Sequence, residues 1–152
     1  MESRSNAAAD QGAARSHSLL DFRKRRFKVL ARNDLQVGAM PRTNLLLVGS
    51  SGATRIVLDM LRLELRGPVI RWQPGQPLVL PPPGVPATLV LDNPIALTRE
   101  DQQRIVRWLE QVVRDVRVVS TTAVPLWPHV QAGEFNETLY YRLNTMCLEV
   151  GL

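Results

Sequence analysis

From Asn44 onward, short apolar runs alternate with stretches in which apolar residues recur every third or fourth position. Continuous apolar runs are typical of strands buried on both faces of a parallel sheet, and the longer period is typical of amphipathic helices. The runs predict strands at 44–48, 69–72, 87–91, 116–120 and 146–150. The periodic stretches predict helices from Thr54 to a stop at Gly67 and Pro68, after the capping residue Thr98, and at Glu137–Leu143. This alternation indicates an α/β three-layer sandwich with a mainly parallel sheet.

The segment between the second and third predicted strands has a different texture, because six of residues 73–86 are proline. Proline cannot donate a hydrogen bond to a sheet, so we expect an irregular connection with at most a short edge strand at Leu78–Leu80. A second loop, which holds Pro125 and Pro128, is expected before the helix that begins at Glu137.

Charge separates a leader from the domain. Residues 1–42 carry nine Lys or Arg and four Asp or Glu, whereas residues 43–152 carry ten of each. We therefore predict a basic, largely disordered leader over 1–42, with room for one short helix at 18–32, and a folded domain over 43–152. The basic run 23–28 could contact phosphates, but no base-reading motif accompanies it. We expect a solvated leader, or a helix docked on the domain, and no nucleic-acid binding.

Composition excludes several classes of protein. No apolar run reaches the roughly 20 residues that cross a bilayer, and no signal peptide is visible, so we expect a cytoplasmic protein without a membrane segment. The single cysteine, Cys147, fits a reducing compartment and is expected to be a small buried apolar side chain. His17 and His129 have no metal-ligand neighbourhood in the sequence.

Two loops at the carboxyl ends of predicted strands are candidates for chemistry, since parallel sheets bind ligands there. The first comprises Gly49, Ser50, Ser51, Gly52, Ala53, Thr54 and Arg55. It has the place of a phosphate-binding loop but fails the G-x-x-x-x-G-K-[ST] pattern, and taken alone it is better explained as an ordinary strand-to-helix turn. The second is Asp92, which could hold Mg²⁺ or could serve only as a turn residue before Asn93 and Pro94.

The last part of the chain carries the most specific pattern. Residues 133–144 read Gly-Glu-Phe-Asn-Glu-Thr-Leu-Tyr-Tyr-Arg-Leu-Asn, which resembles the G-x-F-R-x-D-L-Y-Y-R-L-N signature of the AAA+ ATPase domain of sigma-54-dependent transcriptional activators. Residues 116–123 are similar to that family's V-R-V-I-A-A-T-N strand, residues 87–93 to G-T-L-F-L-D-E, and residues 44–52 to the strand and G-E-S-G-T-G-K-E loop. Four motifs in the family's order span about 44–150.

The resemblance implies a P-loop NTPase-like fold and a nucleotide site at Gly49–Arg55 and Asp92, with Asp92 as a metal ligand if Mg-ATP binds. Thr122 and Arg142 match retained sensor and subunit-interface positions. The departures are that Arg55 replaces the P-loop lysine, Asn93 the Walker B glutamate, Ala123 the sensor asparagine and Asn136 the first finger arginine.

Because these groups provide most of the electrostatic stabilisation in phosphoryl transfer, we expect no catalytic residues and no useful ATP turnover. The interval between Gly49 and Asp92 is also too short for the loop that grips sigma-54, and the chain stops before the family's helical lid. Three hypotheses remain. The first is a regulatory module, in a homo- or hetero-oligomer, that binds sigma-54 RNA polymerase or a full-length activator. The second is a weak Mg-ATP binder or residual ATPase that uses the degenerate loop. The third is a decayed fragment or stand-alone fold with a partner unrelated to transcription.

Overall fold

A computed structural model of the chain describes residues 43–65, 67–112 and 116–151. The predictions for the leader, residues 1–42, lie outside the described residues. The elements follow one another as β1 (Leu45–Gly49), α1 (Ser51–Leu61), a 3₁₀ turn (Arg62–Glu64), β2 (Val69–Trp72), β3 (Ala87–Asp92), a 3₁₀ turn (Pro94–Ala96), α2 (Arg99–Gln111), β4 (Val116–Thr122), α3 (Trp127–Gln131), α4 (Glu137–Leu143) and β5 (Met146–Val150).

The five strands form one sheet in the order β2-β3-β4-β1-β5, and every neighbouring pair is parallel. The register places Val48 of β1 beside Thr122 of β4, and Asp92 of β3 beside Thr121. The carboxyl ends of β1, β4 and β3 therefore meet at one edge of the sheet. The predicted α/β fold with a parallel sheet is confirmed.

Helices cover both faces of the sheet, which makes three layers. On one face α1 packs its Ala53 and Leu61 over apolar side chains that include Leu47 and Val119. On the other face Ile105 and Trp108 of α2, together with α4, cover a core around Leu89. The central strands read as continuous apolar runs because alternate residues face two different cores.

The connection from β2 to β3 contains no helix or strand, and two tryptophans hold it. The indole Nε1 of Trp72 donates to the carbonyl of Gln76 at 2.9 Å, and that of Trp108 donates to the carbonyl of Pro81 at 2.8 Å. Leu78, a residue of this connection, has its side chain buried in the core. The optional edge strand at Leu78–Leu80 does not form, so β2 is the edge of the sheet.

Several boundaries differ from the predictions. Helix α1 begins at Ser51 instead of Thr54, because the Ser50 side chain caps it, and it ends at Leu61 well before Gly67. The expected loop with Pro125 and Pro128 contains the short helix α3, where proline occupies the first turn and breaks no helical hydrogen bond.

The prediction that Cys147 is buried was wrong. Its side chain is exposed, because alternate positions of the edge strand β5 face outward and no described helix covers that side of the strand. None of the helices in the described ranges is long and apolar enough to cross a membrane.

Candidate functional site

The β1–α1 loop is a short strand-to-helix turn closed by its own side chains. Ser50 is the N-cap of α1, and its Oγ accepts a hydrogen bond from the Ala53 amide at 3.3 Å. The Thr54 amide donates to the Ser50 carbonyl at 2.9 Å, and the Thr54 Oγ1 donates to the same carbonyl at 3.2 Å. The amides of Ala53 and Thr54, two of the candidate phosphate donors, are thus engaged in the first turn of the helix.

The two glycines of this loop have different environments. A Cβ on Gly49 would lie 2.2 Å from the carbonyl oxygen of Val150, so glycine is required there by the close approach of β5. A Cβ on Gly52 would meet nothing within 4 Å. Neither observation requires a phosphate to explain the glycine, and the nucleotide role of this loop stays a prediction.

Asp92 lies at the carboxyl end of β3, where both of its carboxylate oxygens have protein partners. Arg71 Nε donates to Oδ2 at 2.6 Å, and Gln73 Nε2 donates to the same oxygen at 3.3 Å. Thr121 Oγ1 donates to Oδ1 at 3.0 Å. The carboxylate thereby joins β2, β3 and β4 at their carboxyl ends.

The residues beyond β3 and β4 form tight turns. Asn93 adopts a left-handed conformation with φ 52°, which asparagine tolerates better than most residues, and its amide donates to the carbonyl of Thr121 at 2.7 Å. Thr122 Oγ1 donates to the carbonyl of Val124 at 2.7 Å and accepts from its amide at 3.3 Å. Ala123 is exposed in this turn.

Three more positions named by the resemblance lie on helices or directly before one. Arg55 is exposed in the second turn of α1, and Arg142 is exposed in the last turn of α4. Neither guanidinium has a hydrogen bond or ion pair with another residue that the structure describes. Asn136, at the first finger position, caps α4 by accepting from the Leu139 amide at 2.9 Å, and its own amide donates to Gln102 Oε1 at 2.7 Å.

The geometry adds two residues that the sequence did not single out, Arg71 and Gln73. Both contact Asp92 from β2 and the residue after it, across 21 and 19 positions of the chain. An arginine at an exposed position of an edge strand has no distinguishing pattern, so only a prediction of the β2–β3 register could have found the pair. Among the described residues, no group of three or more His, Cys, Asp or Glu could hold a metal.

A second surface feature is a cluster of three aromatic rings, formed by Trp127 of α3 and by Tyr140 and Tyr141 of α4. The ring centroids of Tyr140 lie 5.3 Å from those of both Trp127 and Tyr141. Tyr141 is 58% exposed and Trp127 is 37% exposed. These rings therefore form an exposed aromatic cluster next to Arg142.

A parallel sheet with helices on both faces and candidate loops at the carboxyl ends of its strands is a P-loop NTPase-like fold. The solved structures that resemble the chain share this fold. They include NtrX from Brucella abortus in complex with ADP, at a TM-score of 0.58 and 22% identity, which covers 92% of this chain and 42% of that one. They also include the P-loop NTPase domain of the sigma-54 transport activator from E. coli, at a TM-score of 0.55 and 18% identity, over 90% of this chain and 96% of that one.

Sequence comparison gives the family. Residues 83–151 match the model of the Sigma-54 interaction domain. The nitrogen assimilation regulatory protein NtrX of Azorhizobium caulinodans is 36% identical over 74 residues. The match covers 41% of this chain and 16% of that relative, so the chain spans only a small part of the protein that it matches. The resemblance to a sigma-54 interaction domain that was stated from the sequence is thereby confirmed over residues 83–151.

Proposed function

We propose that this chain is a regulatory module in bacterial transcription control that acts in the cytoplasm by binding proteins, without hydrolysing ATP. The family match supports the link to sigma-54. The partner would be sigma-54 RNA polymerase or a full-length AAA+ activator, in a homo- or hetero-oligomer.

The observation that carries the proposal is the ion pair between Arg71 and Asp92, 2.6 Å between Nε and Oδ2. A Mg²⁺ ion needs carboxylate oxygens with free lone pairs and keeps near-ideal octahedral geometry. Here one oxygen accepts from a guanidinium and an amide, and the other accepts from Thr121. Arg71 supplies next to Asp92 the positive charge that a metal would otherwise provide. A magnesium ion would compete with this guanidinium and would find a free lone pair only on Oδ1, which weakens the case for a metal-dependent reaction.

The closed first turn of α1 supports the same conclusion. A phosphate-binding loop presents free backbone N–H groups to its ligand, and the cap of Ser50 uses the amide of Ala53. Asn93, which replaces the glutamate, has a neutral amide that cannot act as a general base. Asn136, which replaces a finger arginine, is engaged as a helix cap.

The surface features suit a binding role. The Arg142 guanidinium is exposed and has no partner among the described residues. Tyr140 and Tyr141 of the aromatic cluster precede it on α4, and Trp127 of α3 contacts their rings. Aromatic rings and arginine are the side chains that contribute most to protein interfaces. This surface is our candidate for the contact with another subunit. The proline-rich β2–β3 connection occupies the interval in which the family's gripping loop lies, so we do not propose that the chain itself activates the polymerase.

A weak nucleotide binder is the second candidate, and the exposed Arg55 favours it. Arg55 is the fifth residue of α1, one turn from the amino-terminal end at which the helix dipole attracts anions. In that case Arg55, the remaining loop amides and Asp92 would hold Mg-ATP.

Calorimetric titration with Mg-ATP, together with an ATPase assay and a pull-down against sigma-54 and a full-length activator, tests the proposal. We expect no saturable heat, no turnover and capture by one of the two proteins. Arg55→Ala is the test variant for nucleotide binding, and Arg62→Ala, an exposed arginine on the following 3₁₀ turn, is its matched control. Saturable ATP binding that Arg55→Ala abolishes and Arg62→Ala keeps would establish the second candidate. Capture by neither protein would refute the proposed partners.

A further inference from the structure

A groove runs between the proline-rich connection and helix α2, and none of its lining residues contacts Asp92. Residues 80–83 form one wall, and Arg104, Arg107, Trp108 and Gln111 form the other. Its volume is about 410 Å³, a size that accommodates a few side chains. We call it the proline groove.

The walls of the proline groove are fixed in place. The Trp108 indole donates to the Pro81 carbonyl in a buried hydrogen bond, and Arg104 Nη2 lies 3.5 Å from the carbonyl of Leu78. Pro81, Pro82 and Pro83 follow one another, and each ring fixes its own φ and keeps the residue before it in an extended conformation. A ligand would therefore find a preformed surface, with little conformational entropy to lose from the protein side. These prolines also lack N–H groups, so this wall offers a ligand carbonyl acceptors and apolar rings.

The helix wall is cationic. Arg104 and Arg107 are one turn apart on α2, and both are exposed. Asp101 pairs with Arg104 at 2.8 Å, whereas Arg107 has no ion pair with another residue in the described part of the chain. An apolar floor with one unpaired guanidinium group at its rim, that of Arg107, is complementary to a ligand that combines carboxylates with aliphatic side chains.

We propose that the proline groove binds an extended acidic segment of a partner protein, in which Asp or Glu residues alternate with Leu or Val. This inference rests on the proposed function in one respect, that the chain acts by binding proteins. The basic leader of the same chain does not fit, because its charge has the same sign as the arginines. A nucleic acid fits less well, since residues 43–152 carry equal numbers of acidic and basic groups and the groove floor is apolar.

The three tryptophans provide a direct test. In a ¹⁵N-labelled full-length chain, the indole N–H signals of Trp72, Trp108 and Trp127 report on the β2–β3 connection, the proline groove and the aromatic cluster. The probe is the peptide acetyl-Glu-Leu-Asp-Val-Glu-Leu-amide, and its comparison is the same peptide with Gln and Asn in place of the acids. We expect the acidic peptide to shift the Trp108 signal saturably, with a salt-sensitive affinity, and the neutral peptide to shift it far less.

Arg107→Ala should weaken the acidic peptide about tenfold through the loss of one charge-assisted contact. Arg62→Ala, on the opposite face of the sheet, is the matched control and should leave the affinity unchanged. Unchanged thermal unfolding of both variants shows that folding is not the cause. Equal binding of the neutral peptide, a shift confined to Trp127, no shift at millimolar peptide, or a stronger response to a single-stranded oligonucleotide would each overturn the proposal. Peptide binding in the absence of capture by sigma-54 or an activator would instead leave the groove standing and refute the proposed partners.

Discussion

Nε of Arg71 on the edge strand β2 lies 2.6 Å from Oδ2 of Asp92 at the end of β3, and this contact ties the two strands together at their carboxyl ends. The arginine side chain is 48% exposed, and that of the aspartate is 16% exposed. The pair is therefore partly screened by water, and its strength follows from this exposure and not from the short distance alone.

We expect Arg71→Ala to lower the free energy of unfolding by about 0–1 kcal/mol, as surface ion pairs do. Asp92→Asn should cost more, because it also weakens the bonds from Gln73 and Thr121. Urea unfolding of the single and double variants gives the coupling energy of the pair. A coupling well above about 1 kcal/mol would show that the pair is more shielded from solvent than its exposure indicates.

Gly49 and Gly52 should respond oppositely to alanine. Gly49→Ala places a methyl group against the Val150 carbonyl and forces β1 and β5 apart, at a cost of about 1–3 kcal/mol. Gly52→Ala meets no atom within 4 Å and lies inside α1, so stability should stay the same or rise by up to about 1 kcal/mol. Thermal or urea unfolding checks both. A destabilising Gly52→Ala would mean that the helix does not begin at Ser51.

Trp108→Phe keeps a ring in the core but removes the donor to the Pro81 carbonyl. Because that hydrogen bond is buried, we expect a loss of about 1–3 kcal/mol in unfolding free energy. Trp72→Phe is the comparison, since its bond to the Gln76 carbonyl is only partly buried and its loss should cost less. Circular dichroism follows the unfolding without relying on tryptophan emission. Equal costs for the two variants would contradict the difference in burial.

Cys147 should react slowly for an exposed thiol. Partial desolvation, together with the negative charge of Glu149, raises the pKa of its thiol in the folded chain. The folded state then holds the thiol proton to higher pH than the unfolded state does. Native protein should be alkylated by iodoacetamide more slowly than urea-unfolded protein near pH 8, and stability should fall as pH rises above the unfolded pKa. Equal alkylation rates in the two states would contradict the shift.

Much of the fold follows from local pattern. The run from Leu45 to Val48 is apolar at successive positions, as expected of a strand that is covered on both faces. The structure places Leu46 and Leu47 in different cores. Thr98 and the acidic residue three positions later predict the start of α2, and the Thr98 hydroxyl does accept from the Asp101 amide at 3.1 Å. Caps and periodicity work as predictors because their causes lie within one turn or one strand.

The candidate site could be located from sequence but not described. The position of Gly49 and Asp92 after two buried strands indicates one edge of the sheet, and the register of β1, β3 and β4 brings these ends together. Gly49 and Asp92 contact residues that are far from them in the sequence, and nothing in the spacing along the chain identifies these partners. Gly49 meets Val150, and Asp92 meets Arg71 and Thr121.

The sequence by itself determined the order and type of the main elements, the resemblance to a sigma-54 interaction domain, and the substitutions that argue against hydrolysis. Only the tertiary structure decided that Asp92 is held by an arginine, that Gly49 serves the approach of β5, that Cys147 is exposed, and that two tryptophans secure a connection without regular structure. The physical reason is the range of the interactions. Hydrophobic period and capping act between near neighbours, whereas ion pairs, close backbone approach and edge exposure depend on which strands become adjacent in space.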